Sequence, residues 1–512
     1  MAVEPEHWVS VLSDKIKKER KPPYVVASGI TTSGPTHIGT ASEFLYPNAV
    51  VSYLKHESDS KVSFFFIGDI MDAFDAVPEP LSRYAKELEP QLGKPLAHVT
   101  DPLGCHKSFG EHFLGEAEEL MKKLEVYPEI LRNNDLYPQG KYDEFAVLYL
   151  KNKDLARDIV FETSLREKEG PEWDNWNPLQ PICGKCGRIS TSIVTSYTDK
   201  SYKYVCSKDV KYTKGCGHEG EDLLKSHNYK LLWRLEWPAR QTFLNVTIEG
   251  AGKDHWTRGG SVDTAVAIHK KVLKHDSPFL FKFGFFTIKG KKYSKSKGIG
   301  LNVDTLIKLL PPEVIKYQVY KSDSQVDKEF DPSGNNMLNM YDDYERTSGL
   351  QQSAEISRAD NKKRIAYEIS GSRKWKARFL DMLIYYQVYG DWNEVGKLLN
   401  DREGVKYLSQ FIESWISEGY PPEEYSFTIT PTKPENVEGT KAFRDALKEG
   451  MDAIAVHNLV FAVAKERNIK PEELFKALYT SIIGKEKGPK LGKLVAAVGI
   501  SKVKEILTKA TS

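Results

Sequence analysis

Two short runs of apolar and β-branched residues near the start of the chain predict buried strands. The first is Tyr24–Ser28, which leads into a turn of small residues, and the second is Val62–Ile67, which ends at Gly68 and Asp69. The segment Thr40–Lys55 between them has the spacing of a helix. A strand, a helix and a second strand in this order are typical of a parallel βαβ unit.

The alternation of strands and helices resumes in the middle of the chain. We predict a strand over Phe243–Ile248, a helix over Gly259–Lys274 and a strand over Phe279–Ile288. The intervening chain holds a polar stretch with several prolines, from about 76 to 128, and a cysteine-rich stretch at 181–220. We therefore predict one α/β sheet whose strands are separated by two insertions.

Beyond about Gln325 the pattern changes. From Lys441 onward the apolar positions recur at helical spacing, and we find neither further alternating strands nor an internal repeat. This predicts a separate all-helical domain. The predicted boundaries are 1–180 and 223–335 for the two halves of the α/β domain, 181–222 for the cysteine-rich module and 336–512 for the helical domain.

The composition is that of an ordinary soluble globular protein, with 40% hydrophobic and 28% charged residues in a chain of 512. A net charge of +2 does not by itself indicate a nucleic-acid partner, although local patches can still attract one. The N-terminal segment lacks the apolar centre of a signal peptide, and no apolar run approaches the ~18 residues of a membrane span. We therefore expect a cytoplasmic protein without a membrane partner.

Two glycine-containing turns are candidates for binding a phosphorylated ligand. Ser33–Thr40 reads SGPTHIGT and follows the first strand, and Gly250–His255 reads GAGKDH. Glycines allow a phosphate to approach the backbone, and the helix that follows the first turn offers free N–H groups. The alternative interpretation of each is a tight turn with a helix-capping residue.

A lysine-rich loop is the third candidate. Five of the ten residues in Lys289–Gly298 are lysines, separated by glycines and serines. Such a loop can close over a triphosphate and neutralise the charge that develops on pyrophosphate. A lysine run alone is more often a solvated loop. Its occurrence about 250 residues after an HIG turn favours the interpretation as a nucleotide site.

Four of the five cysteines have the spacing of a metal site. Cys183 and Cys186 form a CxxC pair, and Cys206 and Cys216 follow at a wider interval. This pattern predicts a structural Zn²⁺ bound by four thiolates, with His218 as an alternative ligand. Buried or redox-active thiols are the competing interpretation. We expect Cys105, which is remote in sequence, to be an inert thiol.

Together these motifs resemble the class I aminoacyl-tRNA synthetases, whose signatures are HIGH and KMSKS. The resemblance is strongest to the class I lysyl-tRNA synthetases and extends over nearly the whole chain. It is carried by the segments VVASGITTSGPTHIG, GCHKSFGEHF, WRLEWPAR, GKDHWTRGGSVDT, KKYSKSKG and GKEKGPKLG. It implies a Rossmann-like catalytic domain with an inserted zinc module, followed by an α-helical anticodon-binding domain. It also implies that L-lysine reacts with ATP and Mg²⁺ to give lysyl-adenylate, which then acylates tRNA(Lys), and that DNA is not a partner.

The resemblance also assigns roles to individual residues. For catalysis these are His37, Thr40, Lys292 and Lys295. For ATP they are Pro35, His37, Gly39, Gly252, Asp254, Lys292, Ser294, Lys295 and Ser296. For the amino acid they are Gly29, Thr31, Trp233, His255 and Phe283. Thr40 stands in place of the second histidine of HIGH, and Tyr293 replaces the methionine of KMSKS.

The acidic partner of a bound ammonium group is left open, with Glu43 and Asp69 as candidates. Aromatic walls at Trp233 and Phe283 would suit a four-carbon stem and its ammonium group. Two rival functions are a class I synthetase for another amino acid, such as glutamate or cysteine, and a non-catalytic tRNA-binding paralogue. The motifs around Trp233 and Gly252 argue against the first, and the intact His37, Lys292, Lys295 and Asp254 argue against the second.

Overall fold

The computed structural model describes residues 6–288, 291–292, 303–350 and 357–512. The chain forms two compact units. The first comprises Met1–Thr305, Ile315–Phe330 and Glu355–Ser370, and the second comprises Leu306–Val314, Asp331–Ala354 and Gly371–Ser512.

The strands of the described residues belong to four sheets. In chain order they are β1 Tyr24–Ile30, β2 Val62–Gly68, β3 Glu129–Arg132, β4 Leu179–Pro181, β5 Ser192–Tyr197, β6 Ser201–Cys206, β7 Glu219–Leu223, β8 Tyr229–Leu231, β9 Ile248–Gly252, β10 Phe279–Phe283, β11 Phe286–Ile288, β12 Lys291–Lys292 and β13 Lys328–Glu329.

The helices of the first unit lie mainly before residue 270. They are α1 Trp8–Glu19, α2 Ser42–Glu57, α3 Ala85–Leu88, α4 Phe109–Lys123, α5 Asn133–Leu136, α6 Asp143–Lys151, α7 Lys153–Ser164, α8 Pro171–Asp174, α9 Trp233–Phe243 and α10 Ser261–Ile268. The later helices are α11 Val303–Leu309, α12 Pro312–Tyr320, α13 Asn336–Ser348, α14 Arg358–Ile369, α15 Phe379–Tyr389, α16 Trp392–Leu398, α17 Arg402–Ser417, α18 Val437–Ala446, α19 Ala453–Glu466, α20 Pro471–Ile483, α21 Leu491–Val498 and α22 Ile500–Thr511.

A five-stranded parallel sheet forms the centre of the first unit. Its strands lie in the order β10-β9-β1-β2-β3. If the five strands are numbered along the chain and the sheet is read from the β3 edge, this order is 3-2-1-4-5. This is the order of a doubly wound nucleotide-binding fold, and the order reverses between β1 and β9. The predicted β1–α2–β2 unit is confirmed, with Tyr24 opposite Val62 and Ile30 opposite Gly68. Val26, Ala27 and Ser28 are buried, as expected for a strand covered on both faces.

The predicted strand over Phe243–Ile248 is wrong. Phe243 is the last residue of α9, and the strand runs from Ile248 to Gly252 instead. The ring of Phe243 packs edge-on against Tyr142 at 5.2 Å, which keeps this apolar residue in the helix. The predicted strand over Phe279–Ile288 is divided into β10 and β11, because the backbone N–H of Gly284 donates to Ser324 and that of Phe285 to Asp327.

The polar stretch 76–128, which we predicted as an insertion between strands of the sheet, also supplies a helix that packs as part of the α/β unit. It contains α4, which makes the crossover from β2 to the edge strand β3, a strand that we did not predict. The cysteine-rich stretch forms a separate antiparallel sheet of β5, β6 and β7. Next to it, β4 pairs with β8.

The secondary structure in the described residues of the second unit consists of helices joined by loops. One apolar cluster of this unit includes Phe443, Val460, Leu478, Leu494 and Leu507, all of which are buried completely. Among the described residues no helix combines the length and apolarity that crossing a membrane requires.

Candidate active site

The carboxyl ends of β1 and β9 meet at the point where the strand order reverses. Val26 lies opposite Ile248 and Ala27 opposite Glu249, so the residues after Ile30 and those after Gly252 share one edge of the sheet. Two of the three predicted nucleotide-binding segments are thus brought together across the crevice in which doubly wound folds bind their ligands.

The last residues of β1 pack closely on β2 and lead into the turn. A Cβ atom on Gly29 would lie 2.8 Å from the carbonyl oxygen of Ile67, so only glycine fits there. The residues Pro35, His37 and Gly39 are half-buried. His37 begins a short 3₁₀ helix, Ile38–Ala41, in which the N–H of Thr40 donates to the His37 carbonyl at 2.8 Å.

Thr40 is 3% exposed, and among the described residues its hydroxyl has no hydrogen-bond partner. A buried hydroxyl without a partner calls for an explanation, such as an ordered water or a ligand that it contacts. Thr40 follows His37 on the same turn, at the edge where the crevice opens. The sequence resemblance had assigned Thr40 a catalytic role only because it stands in place of the second histidine of HIGH.

The segment after β9 has a buried and an exposed part. Gly252 is buried at the end of the strand, whereas Asp254 is exposed in the short 3₁₀ helix Lys253–Trp256. A Cβ atom on Gly252 would lie 2.8 Å from a carboxylate oxygen of Asp254, so the two positions are coupled sterically. Lys253 forms an ion pair with Asp327 at 2.7 Å, which ties this segment to the chain just before β13.

Trp233 and His255 are brought together around one hydroxyl group. The indole N–H of Trp233 donates to the Ser261 hydroxyl at 3.4 Å, and His255 Nδ1 lies 3.3 Å from the same oxygen. Trp233 also stacks on Trp237 with their ring planes only 8° apart. Both predicted amino-acid-binding residues therefore belong to one aromatic wall.

Phe283 does not belong to that wall. It is buried completely and stacks on Tyr46, with ring centroids 5.1 Å apart. Its ring also lies 3.8 Å from where a Cβ atom on Gly252 would stand. That Phe283 contacts the amino acid stays a prediction.

A buried ionic network connects the ends of β1 and β2 to α9. The ammonium group of Lys230 lies 2.5 Å from Glu236, 3.0 Å from Asp72 and 3.3 Å from Asp69. The Thr31 hydroxyl donates to the other oxygen of Asp72 at 2.7 Å, and the Tyr137 hydroxyl donates to Glu236 at 2.6 Å. The sequence analysis had assigned no role to Lys230, and it included Glu236 only as part of the segment WRLEWPAR.

The electrostatics of this network follow from its burial. Burial alone would lower the pKa of Lys230, but the three carboxylates hold it well above its usual range. Burial, followed by the charge of Glu236, raises the pKa of Asp69, and burial followed by the charge of Asp69 raises that of Asp72. Lys230, Asp69 and Glu236 are almost fully covered, whereas the Asp72 side chain is 32% exposed.

Asp72 faces a cavity of about 390 Å³ that Trp233 and Lys230 also line. Arg166, Lys208 and Arg234 contribute to the same cavity, so its walls carry both signs of charge. Of the two acids considered from the sequence, Asp69 is 3% exposed and is held by Lys230. Asp72 is therefore the better placed carboxylate for a ligand in this cavity.

The lysine-rich loop is described only in part. Lys292 ends β12, where its backbone lies opposite Thr287. Ser294, Lys295 and Ser296 lie outside the described residues.

The four cysteines of the predicted zinc site converge. Their sulfur atoms all lie within 4.8 Å of one another, with 3.7 Å between Cys183 and Cys216 and 3.7 Å between Cys186 and Cys206. A disulfide would require about 2.05 Å. Tetrahedral coordination with Zn–S bonds of about 2.3 Å places sulfurs about 3.8 Å apart. The cysteines thus complete a four-ligand set of the right size, without His218.

A second group of this kind involves Cys105 and was not predicted. The ligand atoms of Asp101, Cys105, His106 and His112 also lie within 4.8 Å of one another. The Cys105 sulfur is 3.2 Å from Nδ1 of both histidines. Cys105 thus lies among possible metal ligands, and that it is inert stays a prediction. The signal was present in the sequence, as a cysteine and two histidines within Cys105–His112.

Comparison with known proteins identifies the family to which this chain belongs. Residues 6–373 match the family model of the class I (K) tRNA synthetases. The chain belongs to this family. It is 31% identical to a lysine–tRNA ligase of Pyrococcus horikoshii, over 96% of this chain and 97% of that one. It is 30% identical to the lysine–tRNA ligase of Archaeoglobus fulgidus, over 98% and 100%. A solved glutamate–tRNA ligase from Elizabethkingia meningosepticum covers 96% of this class I chain at 13% identity and a TM-score of 0.41.

Proposed function

We propose that this class I synthetase is a lysine–tRNA ligase. In the first step the carboxylate of L-lysine attacks the α-phosphorus of ATP, forming lysyl-adenylate and releasing diphosphate. In the second step a terminal ribose hydroxyl of tRNA(Lys) attacks the activated carbonyl and AMP leaves. The observation that carries the proposal is the meeting of the Ser33–Thr40 and Gly250–His255 segments across the strand-order reversal, in a chain whose family model is of the lysine type.

ATP would lie along this edge with its own Mg²⁺. We assign its binding to Pro35, His37, Gly39, Gly252, Asp254, Lys292, Ser294, Lys295 and Ser296. Little covalent chemistry falls to the protein, so positioning and charge stabilisation dominate. His37, Thr40, Lys292 and Lys295 are the groups that we expect to stabilise the negative charge moving onto diphosphate.

The lysine substrate would occupy the cavity beside Trp233. Gly29 and Thr31 would hold its backbone groups, and Trp233 with His255 would form one wall. Asp72 offers a carboxylate to an ammonium group of the substrate, since Thr31 and Lys230 already fix both of its oxygens in place. Polar recognition of this kind can reject analogues by about 10⁴-fold without editing.

Two metal ions would be structural parts of the enzyme. Cys183, Cys186, Cys206 and Cys216 would hold a Zn²⁺ that organises the sheet of β5, β6 and β7. The mixed set of Asp101, Cys105, His106 and His112 also has the ligand types and number of a zinc site. Neither ion would touch the reacting atoms.

The helical second unit is the proposed platform for the anticodon of tRNA(Lys). Between Lys485 and Ser512 seven lysines stand against two acids, which suits RNA phosphates. We place the enzyme in the cytoplasm, where thiols remain reduced and available to metal ions.

The proposal is tested by aminoacylation with a panel of amino acids. The assay must contain tRNA, because class I lysyl synthetases can require it for the first step. Lysine should be charged and arginine, glutamate and cysteine rejected. Charging of a different amino acid would assign the chain another substrate, and the absence of any charging would favour a non-catalytic tRNA-binding protein.

A further inference from the structure

The nucleotide-binding turn after β1 is braced from one side by α4. The hydroxyl of Thr32 donates to the carbonyl of Gly110 at 3.0 Å, and the hydroxyl of Thr36 donates to that of Phe113 at 3.4 Å. The backbone N–H of Thr36 donates to the carboxylate of Glu116 at 2.8 Å. Gly110, Phe113 and Glu116 are spaced by three residues and therefore lie on one face of the helix.

The charge of Glu116 is unusual at this place. Its carboxylate holds the peptide N–H immediately before His37, in a turn that would receive the triphosphate of ATP. A negative charge there opposes phosphate binding unless hydrogen-bond donors already engage both carboxylate oxygens. One carboxylate oxygen receives the Thr36 N–H, and the other lies 3.4 Å from Nε2 of His112.

His112 joins Glu116 to the second metal group. Its Nδ1 lies 3.2 Å from the Cys105 sulfur and 3.3 Å from Asp101, so this nitrogen faces the group while Nε2 faces Glu116. A metal ion bound at Nδ1 leaves the proton on Nε2, where it can only be donated outward. The carboxylate, the histidine and the metal position thus lie in series, as in the outer shell of many zinc sites.

We propose that Glu116 is a positioning residue, which ties the nucleotide-binding turn to the metal group of Asp101, Cys105, His106 and His112. This inference rests on the proposed function, in which that turn binds ATP. With the metal in place, His112 donates to Glu116, and Glu116 fixes the Pro35–Thr36 peptide, next to His37, for the phosphates. Without the metal, the proton of His112 can move to Nδ1, beside Asp101. Nε2 then presents a lone pair to Glu116, and the carboxylate loses this hydrogen bond.

The test compares Glu116→Gln with Glu119→Gln. Glu119 lies on the same helix, and its exposed carboxylate pairs with Lys122 at 2.6 Å. Affinity for a non-hydrolysable ATP analogue is measured by calorimetry, and KM is determined separately for ATP and for lysine. We expect Glu116→Gln to weaken analogue binding and raise the KM for ATP by about 10- to 100-fold, the effect of losing one hydrogen bond to a charged group. The KM for lysine and all properties of Glu119→Gln should be unchanged.

A second comparison tests the link to the metal. Cys105→Ser removes one ligand of the mixed group and leaves the four-cysteine site intact, which metal analysis verifies. We expect it to weaken analogue binding in the wild-type background and to cause no further loss in the Glu116→Gln background. Additive losses would refute the coupling. If Glu116→Gln lowers the melting temperature and weakens binding of ATP, lysine and tRNA alike, Glu116 only stabilises the fold.

The inference and the proposed function can fail separately. If the wild type charges lysine but Glu116→Gln and Glu119→Gln bind the ATP analogue equally well, only this inference fails. If the wild type charges no amino acid, the proposed function fails, whatever the calorimetry shows.

Discussion

Replacement of Lys230 by methionine tests the reasoning about the buried network. At an effective dielectric constant of about 20, an ion pair at about 3 Å is worth about 5 kcal/mol, and Lys230 makes three such contacts. Most of this gain is offset by the cost of removing the charges from water. Deleting only the ammonium group leaves Asp69 and Glu236 buried without their cation, and we expect a loss of about 3–5 kcal/mol in the free energy of unfolding.

The pH dependence of this loss gives a sharper measurement. Burial already raises the pKa of Asp69 while Lys230 opposes the rise, so removing Lys230 should raise it further. The folded variant then binds more protons than the unfolded chain, and its stability increases as the pH falls from neutrality toward the unfolded pKa of about 4. The deficit relative to the wild type should therefore shrink over this range.

Urea unfolding followed by tryptophan fluorescence at several pH values measures the deficit. Lys203→Met is the matched control, because Lys203 pairs with Glu221 at 3.6 Å with both side chains more than half exposed. The control should change stability by less than about 0.5 kcal/mol. A Lys230→Met deficit of that same size, or one that does not vary with pH, would show that the network does not hold charge as we describe.

Three further predictions concern the metal, the lysine-rich loop and the strand β1. Elemental analysis should find zinc in the purified protein, and Cys183→Ser combined with Cys186→Ser should remove about one equivalent; a metal-free protein with full activity would contradict the four-cysteine site. Lys295→Ala should slow adenylate formation about 100- to 1,000-fold in a single-turnover assay with lysine affinity unchanged, and an unaltered rate would make the loop a mere surface feature. Gly29→Ala should cost about 1–3 kcal/mol in urea unfolding, because the new methyl group meets the Ile67 carbonyl at 2.8 Å, whereas an equally stable variant would mean that the two strands can separate.

The parts of the fold that depend on local pattern could be predicted from the sequence. The run Tyr24–Ser28 and the run Val62–Ile67 are apolar at successive positions, and both became buried parallel strands. The cysteine pairs could also be assigned to one site, since ligand number and spacing restrict the geometry strongly. The boundary at Phe243 could not be predicted, because its contact with Tyr142 spans about a hundred residues and overrides the local β preference.

The site residues that were missed are those whose role depends on several distant partners. Lys230 lies in a stretch that reads as an ordinary amphipathic segment, and its burial is possible only because three carboxylates from two other parts of the chain surround it. Phe283 is a second case. Its aromatic character could be read from the sequence, but its stacking on Tyr46 depends on how β10 packs against α2.

These two cases explain why the amino-acid pocket is harder to predict than the nucleotide edge. The nucleotide edge consists of backbone at strand ends, and parallel strands bring their carboxyl ends together whatever their side chains are. The pocket instead depends on where individual side chains point after β8 and α9 have packed.

Thr31 and Asp72 lie at the ends of neighbouring strands, yet sheet hydrogen bonds do not extend to either of them. Their 2.7 Å hydrogen bond and the Lys230 ammonium supply the rigidity that the sheet lacks there. A buried cation that holds an acid at the mouth of a cavity is costly in solvation, and this cost is a reason to connect the network with substrate binding and not only with stability.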